Sequence, residues 1–156
     1  MKVGIGYDIH RLRKGRRLFL GGVEIPFSKG LTGHSDGDVV LHAILDAVLG
    51  AMGEGDIGEH FPSSDPKWKN APSLLFVKKV NGLLKKRKLK VSSIDSTIVA
   101  EAPRLMEHKD RIRRSVAQAF DIPVSEVSVK AKTNEGLGDV GKQRAIACFA
   151  VAALGK

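Results

Sequence analysis

Asp8 and His10 stand two residues apart in the run Gly4-Ile5-Gly6-Tyr7-Asp8-Ile9-His10. In an extended strand that spacing turns both side chains to one face, with Cα atoms ~7 Å apart and room for a metal ion between the side chains. His42 is the natural third ligand if a helix carries it across the strand end. One carboxylate and two neutral imidazoles suit Zn²⁺ and leave a fourth position open. Asp46, one helical turn beyond His42, is placed to orient that imidazole from behind. An Asp-x-His pair is common, however. A turn-capping Asp8 and a satisfied core histidine at position 42 account for the same residues.

Two further stretches carry chemistry. Gly33-His34-Ser35-Asp36-Gly37-Asp38 leads into a helix, where backbone N–H groups attract anions and an imidazole and a hydroxyl stand beside them. A polar cap with no ligand is the plainer alternative. Lys132-Thr133-Asn134-Glu135-Gly136 follows a strand. Glycine permits close backbone approach, Thr133 can bond a phosphate, and Glu135 can hold a hard cation such as Mg²⁺. An ordinary turn also favours Asn and Gly. Each stretch alone is explained as well without a ligand; their combination changes the balance.

The elements that must position these groups follow from periodicity. Residues 2–9 alternate Val3, Ile5, Tyr7 and Ile9 against Gly4, Gly6 and Asp8, which predicts a strand ending at the Asp8–His10 pair. Leu18 to Ile25 is a second extended piece interrupted by Gly21-Gly22, as a hairpin or a bulge, and 27–37 reads as a loop. From Asp38, the apolar residues Leu41, Ile44, Leu45, Val48, Leu49 and Met52 recur at helical spacing, with Ser35 and Asp38 resembling a capping box. Residues 53–72 are rich in Gly and Pro, a long loop of the kind that usually has a function. A second helix is expected over Ser73–Arg87, a central strand over Val91–Glu101, and a third helix opened by Pro103. Val127–Thr133 alternates as a strand. Ala145–Leu154 is almost continuously apolar, which fits a buried strand or a helix; Ile146, Cys148, Phe149 and Val151 favour a strand buried on both faces, partly by another subunit. The expected fold is a single α/β domain (an α+β sandwich) over residues 1–156, a mixed sheet with helices on one face.

Bulk properties narrow the partners. At 156 residues, with 42% hydrophobic and 28% charged, the chain supports a real core, although aromatics are only 5%. No apolar run approaches a membrane span, and the opening Met1-Lys2-Val3-Gly4-Ile5 lacks a signal-peptide pattern, so a cytoplasmic location is expected. Cys148 is the only cysteine and sits among apolar neighbours, a buried structural thiol. Twenty-six Lys and Arg against 17 acids give a formal +9, which favours anionic partners. The run Lys85-Lys86-Arg87-Lys88-Leu89-Lys90 reads as a solvated helix end, since no aromatic residue interleaves with it to stack on bases.

Taken in order, the motifs resemble those of the cyclodiphosphate synthase family. The resemblance rests on Gly6-Tyr7-Asp8-Ile9-His10, Gly33 to Asp38 with Leu41-His42-Ala43, and Gly55-Asp56-Ile57-Gly58 with Phe61-Pro62. It continues through Asp65-Pro66, Ala100-Glu101-Ala102-Pro103-Arg104 and Val129 to Gly138, and so spans essentially the whole chain. The resemblance implies a homotrimer with active sites between subunits and a substrate linked to cytidine diphosphate. It implies Asp8, His10 and His42 as Zn²⁺ ligands, and Glu135 as a ligand of a second ion, Mg²⁺ or Mn²⁺. His34 and Ser35 would contact phosphates, with Thr133 steadying the transition state. Asp56 and Gly58 would meet the sugar-like hydroxyls, position 63 (here Ser63) the erythritol part, and Ile57, Phe61 and Asp65 would also bind substrate. The stretch Ala100 to Met106, including Pro103 and Arg104, with Lys132 and Thr133, would form the cytosine pocket; Asn134 would also touch substrate, and Lys142, near the threefold axis, would meet a diphosphate. The implied reaction is attack of a substrate phosphate on its own diphosphate, with release of CMP. Ser63, Asp139, Lys142 and Phe149 depart from residues common in the family. A metal-dependent phosphodiesterase or nucleotide hydrolase would use the same ligands with water as nucleophile. A basic nucleic-acid-binding module is the more distant alternative, and no recognisable nucleic-acid motif or membrane segment supports such a partner.

Overall fold

The first strand shows how the chain is packed. Along β1 (Lys2–Lys14), Gly4, Gly6, Asp8 and His10 face one side and Val3, Ile5, Tyr7 and Ile9 the other. The ordinary rule would turn the branched face inward, but this computed structural model, which describes residues 1–156, shows the reverse. The glycine face lies against α1 (Val39–Met52) so closely that a Cβ on Gly6 would stand 2.0 Å from the Ala43 carbonyl oxygen, and one on Gly4 2.1 Å from that of Ala47. Small residues on both elements let helix and strand backbones meet. Ile5 is left 72% exposed on the opposite face.

β1 runs to Lys14, past the expected end at the Asp8–His10 pair, because it changes partners. Lys2 to Arg11 pair antiparallel with β7 (Ala145–Gly155), and Leu12 to Lys14 pair with β4 (Lys29–Leu31), a short strand inside the stretch expected to be loop. β2 (Leu18–Leu20) and β3 (Val23–Ile25) form the hairpin turned by Gly21-Gly22. β5 (Lys90–Val99) pairs antiparallel with β7 and parallel with β6 (Val127–Lys132), giving a five-stranded mixed sheet in the order β4-β1-β7-β5-β6. The strand expected to be central, β5, is interior, but β7 takes the middle.

α1 is buried almost all round, as a helix at the centre of a core must be. It is capped by Asp38, whose carboxylate accepts from the N–H groups of Val40 and Leu41. Ser35 does not form the expected capping box; its hydroxyl turns to Gly37 and His42 instead. Asp38 also accepts from Gly21 and Gly22 at 2.8 and 2.6 Å, tying the β2–β3 hairpin to the helix start. Gly53, at φ 73°, ends α1 in the left-handed conformation that glycine adopts without a Cβ penalty.

The 53–72 stretch contains one turn of helix, α2 (Ile57–His60), and a 3₁₀ turn over Pro66–Trp68. α3 (Ser73–Lys86) packs against α1 and ends in the basic run, with Arg87 as C-cap paired to Glu54. Pro103 does not open a helix: Ala102-Pro103 is a cis peptide in an irregular segment, and α4 (Lys109–Phe120) begins six residues later. α4 packs on β6, and α5 (Gly138–Gly141) sets Val140 against Val99, Ala145 and Ala147 on the other face of the sheet. That second face is otherwise open. Phe149 and Val151 of β7 lie on it partly exposed, so β7 is buried on its helix side and only at one end on the other.

Candidate metal centre and flanking site

The close approach of α1 to β1 brings His42 over the Asp8–His10 pair. His10 Nε2 and His42 Nδ1 each lie 2.9 Å from Asp8 Oδ2, and 3.0 Å from one another. Four tetrahedral ligands at Zn²⁺ bond lengths stand about 3.3 Å apart, so this triangle has ion-binding dimensions, slightly contracted. One carboxylate oxygen and two imidazole nitrogens, all converging, are the donor set that zinc takes. These residues therefore fit a divalent metal of the zinc type.

The electrostatics agree. Burial opposes the Asp8 carboxylate, but the hydrogen bonds and positive charge of His10 and His42 outweigh it and hold the group far below its ordinary range. Burial likewise opposes a charged His42, yet the Asp8 carboxylate on Nδ1, with Asp38 and Asp36 nearby, raises that imidazole above its ordinary value. Cys148 is buried on β7, its thiol pushed up by desolvation, and is an inert packing group as expected.

A cavity of about 160 Å³ lies over the triangle, lined by Asp8, His10, His34, Ser35, His42, Ile57, Gly58 and Phe61 among the predicted residues. Trp68 and Phe76, which sequence reasoning missed, complete the lining. Phe61 stacks on Phe76 at 4.5 Å between ring centroids, and Trp68 meets both edge-on, forming one apolar wall. His34 Nε2 donates to the Asp65 carbonyl at 3.2 Å, tying the start of the Gly33–Asp38 stretch to the 53–72 loop.

Asp46 does not orient His42. It accepts from the Ile57 N–H at 2.8 Å and so anchors α2, because its side chain leaves α1 toward that loop. The expected role falls to two serines. His42 Nε2 lies 2.9 Å from Ser73 Oγ and 3.1 Å from Ser35 Oγ, both buried. Ser73 was legible only as a helix start, since it lies 31 residues from His42.

The other predicted residues lie elsewhere. Asp56 caps α2 through the Glu59 N–H, next to Gly58 but outside the cavity lining. Ser63 is exposed, and Asp65 caps the 3₁₀ turn and pairs with Lys67. Ala100, Pro103, Arg104 and Met106 follow β5, while Lys132 ends β6 and Thr133, Asn134 and Glu135 follow it, and the two segments are joined by Ala100 N–H to the Lys132 carbonyl and Asn134 N–H to Glu101. Thr133 Oγ1 donates to Glu135 Oε1 at 2.8 Å. Lys142 is exposed just after α5. The register Ile9↔Ala147↔Val99↔Lys132 puts Lys132 on the open sheet face, opposite the α1 face where Asp8 and His10 point. Within one chain the two groups are not brought together.

A mixed sheet carrying a carboxylate and two imidazoles beneath a central helix defines an α/β protein with a candidate divalent-metal centre. The family is shown by comparison: residues 1–155 match the model of the YgbB family, and the chain belongs to it. It is 54% identical over 154 residues to a 2-C-methyl-D-erythritol 2,4-cyclodiphosphate synthase of Gloeobacter violaceus, covering 99% of this chain and 94% of that one. It is also 54% identical to the same-named protein of Syntrophomonas wolfei, covering 97% and 96%. Among solved structures, a 2C-methyl-D-erythritol-2,4-cyclodiphosphate synthase in its CDP-bound form superposes with TM-score 0.91 at 34% identity, over 99% of this chain and 100% of that one. The bifunctional IspDF of Campylobacter jejuni superposes with TM-score 0.93 at 37% identity over 98% of this chain, which spans 42% of that longer protein.

Proposed function

We propose that this protein converts 4-diphosphocytidyl-2-C-methyl-D-erythritol 2-phosphate to 2-C-methyl-D-erythritol 2,4-cyclodiphosphate and CMP, a step of non-mevalonate isoprenoid biosynthesis. The chemistry is that of a phosphorus–oxygen lyase. A 2-phosphate oxygen forms a bond to the β-phosphorus. The bond from that phosphorus to the bridging oxygen breaks, and its electron pair leaves with CMP. The observation that carries this reading is the Asp8–His10–His42 triangle, in a chain 54% identical to a protein named as such a synthase.

Asp8, His10 and His42 would hold Zn²⁺, and Glu135 a Mg²⁺ or Mn²⁺. Bound there, such ions supply charge stabilisation to the diphosphate oxygens. His34 and Ser35, which line the cavity, would bind phosphate oxygens through imidazole and hydroxyl. Thr133 would do so from the second loop, steadying the transition state. Asp56, Ile57, Gly58, Phe61, Ser63 and Asp65 would receive the erythritol part, with the Phe61–Trp68–Phe76 wall excluding water. Ala100, Pro103, Arg104, Met106, Lys132 and Asn134 would hold the cytosine, and Lys142 would add positive charge. No side chain need act as nucleophile, because the attacking oxygen is the substrate's own and gains from being held in line.

A cavity of about 160 Å³ is too small for a nucleotide-linked substrate, since ligand sites usually run to ~300–1,000 Å³. The open sheet face supplies the remedy. Val3, Ile5, Tyr7, Ile9, Phe149 and Val151 make an apolar surface of the kind that marks association, supporting a homotrimer in which the 132–135 loop of one subunit completes the cavity of its neighbour. A cytoplasmic location is part of the same proposal, supported by the single buried cysteine.

The test is incubation of purified protein with the 2-phosphate substrate and Mg²⁺, followed by phosphorus NMR. Equal appearance of CMP and a cyclic diphosphate is expected. CMP with a linear phosphorylated product would overturn the cyclase in favour of a hydrolase.

A further inference from the structure

Behind His42 the bond to Ser73 can have only one direction. Ser73 Oγ donates to Asp36 Oδ1, and the Ser73 backbone N–H donates to Asp36 Oδ2 at 2.9 Å. An ionised carboxylate only accepts, so the Ser73 hydroxyl proton is committed to Asp36. What Ser73 Oγ presents to His42 is therefore a lone pair, and at 2.9 Å the imidazole Nε2 must be the donor. With Nε2 already a donor to Ser73, the proton a metal would displace is the one Nδ1 gives to Asp8, which leaves the Nδ1 lone pair for the ion on the side where Asp8 and His10 converge.

We propose that Asp36 and Ser73 are positioning residues of the metal centre, a carboxylate–hydroxyl relay that holds His42 with its proton on Nε2 and its Nδ1 free to ligate. The proposal rests on the metal reading above. Three observations support a built device. Ser73 is fully buried and His42 nearly so, which shields their contact from bulk solvent. Asp36 is itself fixed, its carboxylate accepting from the Asp38 N–H and its own N–H donating to the Ala71 carbonyl. Finally, Pro72 makes no side-chain cap at the start of α3, so Asp36 takes that place from a distance and ties helix position to imidazole orientation. Partners behind a ligating histidine typically change metal affinity 10- to 100-fold.

The experiment uses the full-length chain. Zinc dissociation constants would be measured by chelator competition for wild type, Ser73→Ala, Asp36→Ala, Ser73→Thr and His42→Ala. Thermal unfolding of each metal-free protein would monitor the fold. In zinc-loaded protein, ¹⁵N–¹H imidazole spectra would report the His42 Nε2–H, expected as a downfield, slowly exchanging proton in wild type. Ser73→Ala and Asp36→Ala should weaken zinc about 10- to 100-fold and shift that proton upfield with faster exchange. Ser73→Thr, which keeps the hydroxyl, should restore both. Should Ser73→Ala fail to fold, Asp36→Ala and Ser73→Thr decide. Zinc constants within about threefold of wild type in folded variants, or a wild-type His42 ligating through Nε2, would overturn the relay and leave the metal reading standing. Wild type binding zinc no better than His42→Ala would overturn both.

Discussion

Asp8, His10 and His42 are gathered between β1 and α1 with their ligand atoms already within about 3 Å of one another, whereas Lys132, at the end of β6, and Thr133, Asn134 and Glu135 after it stand exposed and joined mainly to the segment after β5. The first group is held by core packing: glycines on β1, alanines on α1, and a serine from α3 behind the imidazole. The second is held by few bonds, and its first residue, Lys132, lies on the other side of the sheet. A metal centre needs donors fixed to within fractions of an ångström, and a folded core supplies that. A loop that must meet a bulky, highly charged substrate needs access, which a core would deny. Under the proposed function, folding completes one half of the site and association the other.

The largest effect should come from breaking the buried half. His42→Ala is expected to abolish stoichiometric zinc and lower turnover by at least on the order of 10²–10³-fold while leaving the subunits folded and associated; metal analysis, sedimentation and a turnover assay would check it. Unchanged activity would remove the metal assignment.

The next test joins the halves. Chains carrying His42→Ala and chains carrying Glu135→Ala, each inactive, should regain about a quarter of wild-type activity when unfolded and refolded together, since random mixing restores that share of intact interfaces. A mixture that stays inactive would place the whole site within one chain.

Adjacent residues on β1 sharpen the same contrast. Gly6→Val places atoms inside the Ala43 carbonyl and should cost at least about 1–3 kcal/mol of subunit stability, with zinc affinity lost alongside, seen by chemical denaturation. Ile5→Asp, on the open face, should dissociate the assembly while changing subunit stability far less, read by sedimentation and denaturation. Asp38→Ala removes the acceptor of four backbone N–H groups and should cost about 2–4 kcal/mol.

The smallest effects concern pH. In metal-free protein the contribution of Asp8 is present above its ordinary value of 3.8 and fades as pH falls through its lowered folded value. That of His42 is complete below its ordinary 6.5 and fades as pH rises through its raised value. Metal-free protein should therefore lose melting temperature on moving from mildly acidic to alkaline pH, and His42→Ala should flatten that slope. Zinc affinity should run the other way, rising with pH as the imidazole proton is released.

Much of this was readable along the chain because its cause is local. Period-two alternation put Asp8 and His10 on one face, apolar spacing marked α1 and α3, and the Gly21-Gly22 turn marked the hairpin. Boundaries failed where distant pairing decided them, as when β4 extended β1 and an irregular segment with a cis peptide displaced the start of α4 from Pro103.

Residue types and their local spacing thus determined which groups could ligate, which segments would be helix or strand, and the family itself. Only the tertiary structure decided that the glycine face of β1 turns inward, that Ser73 and not Asp46 stands behind His42, and that Lys132 faces away from the metal ligands. Each of these depends on which surfaces of distant segments meet, and no spacing along one segment records what will be packed against it.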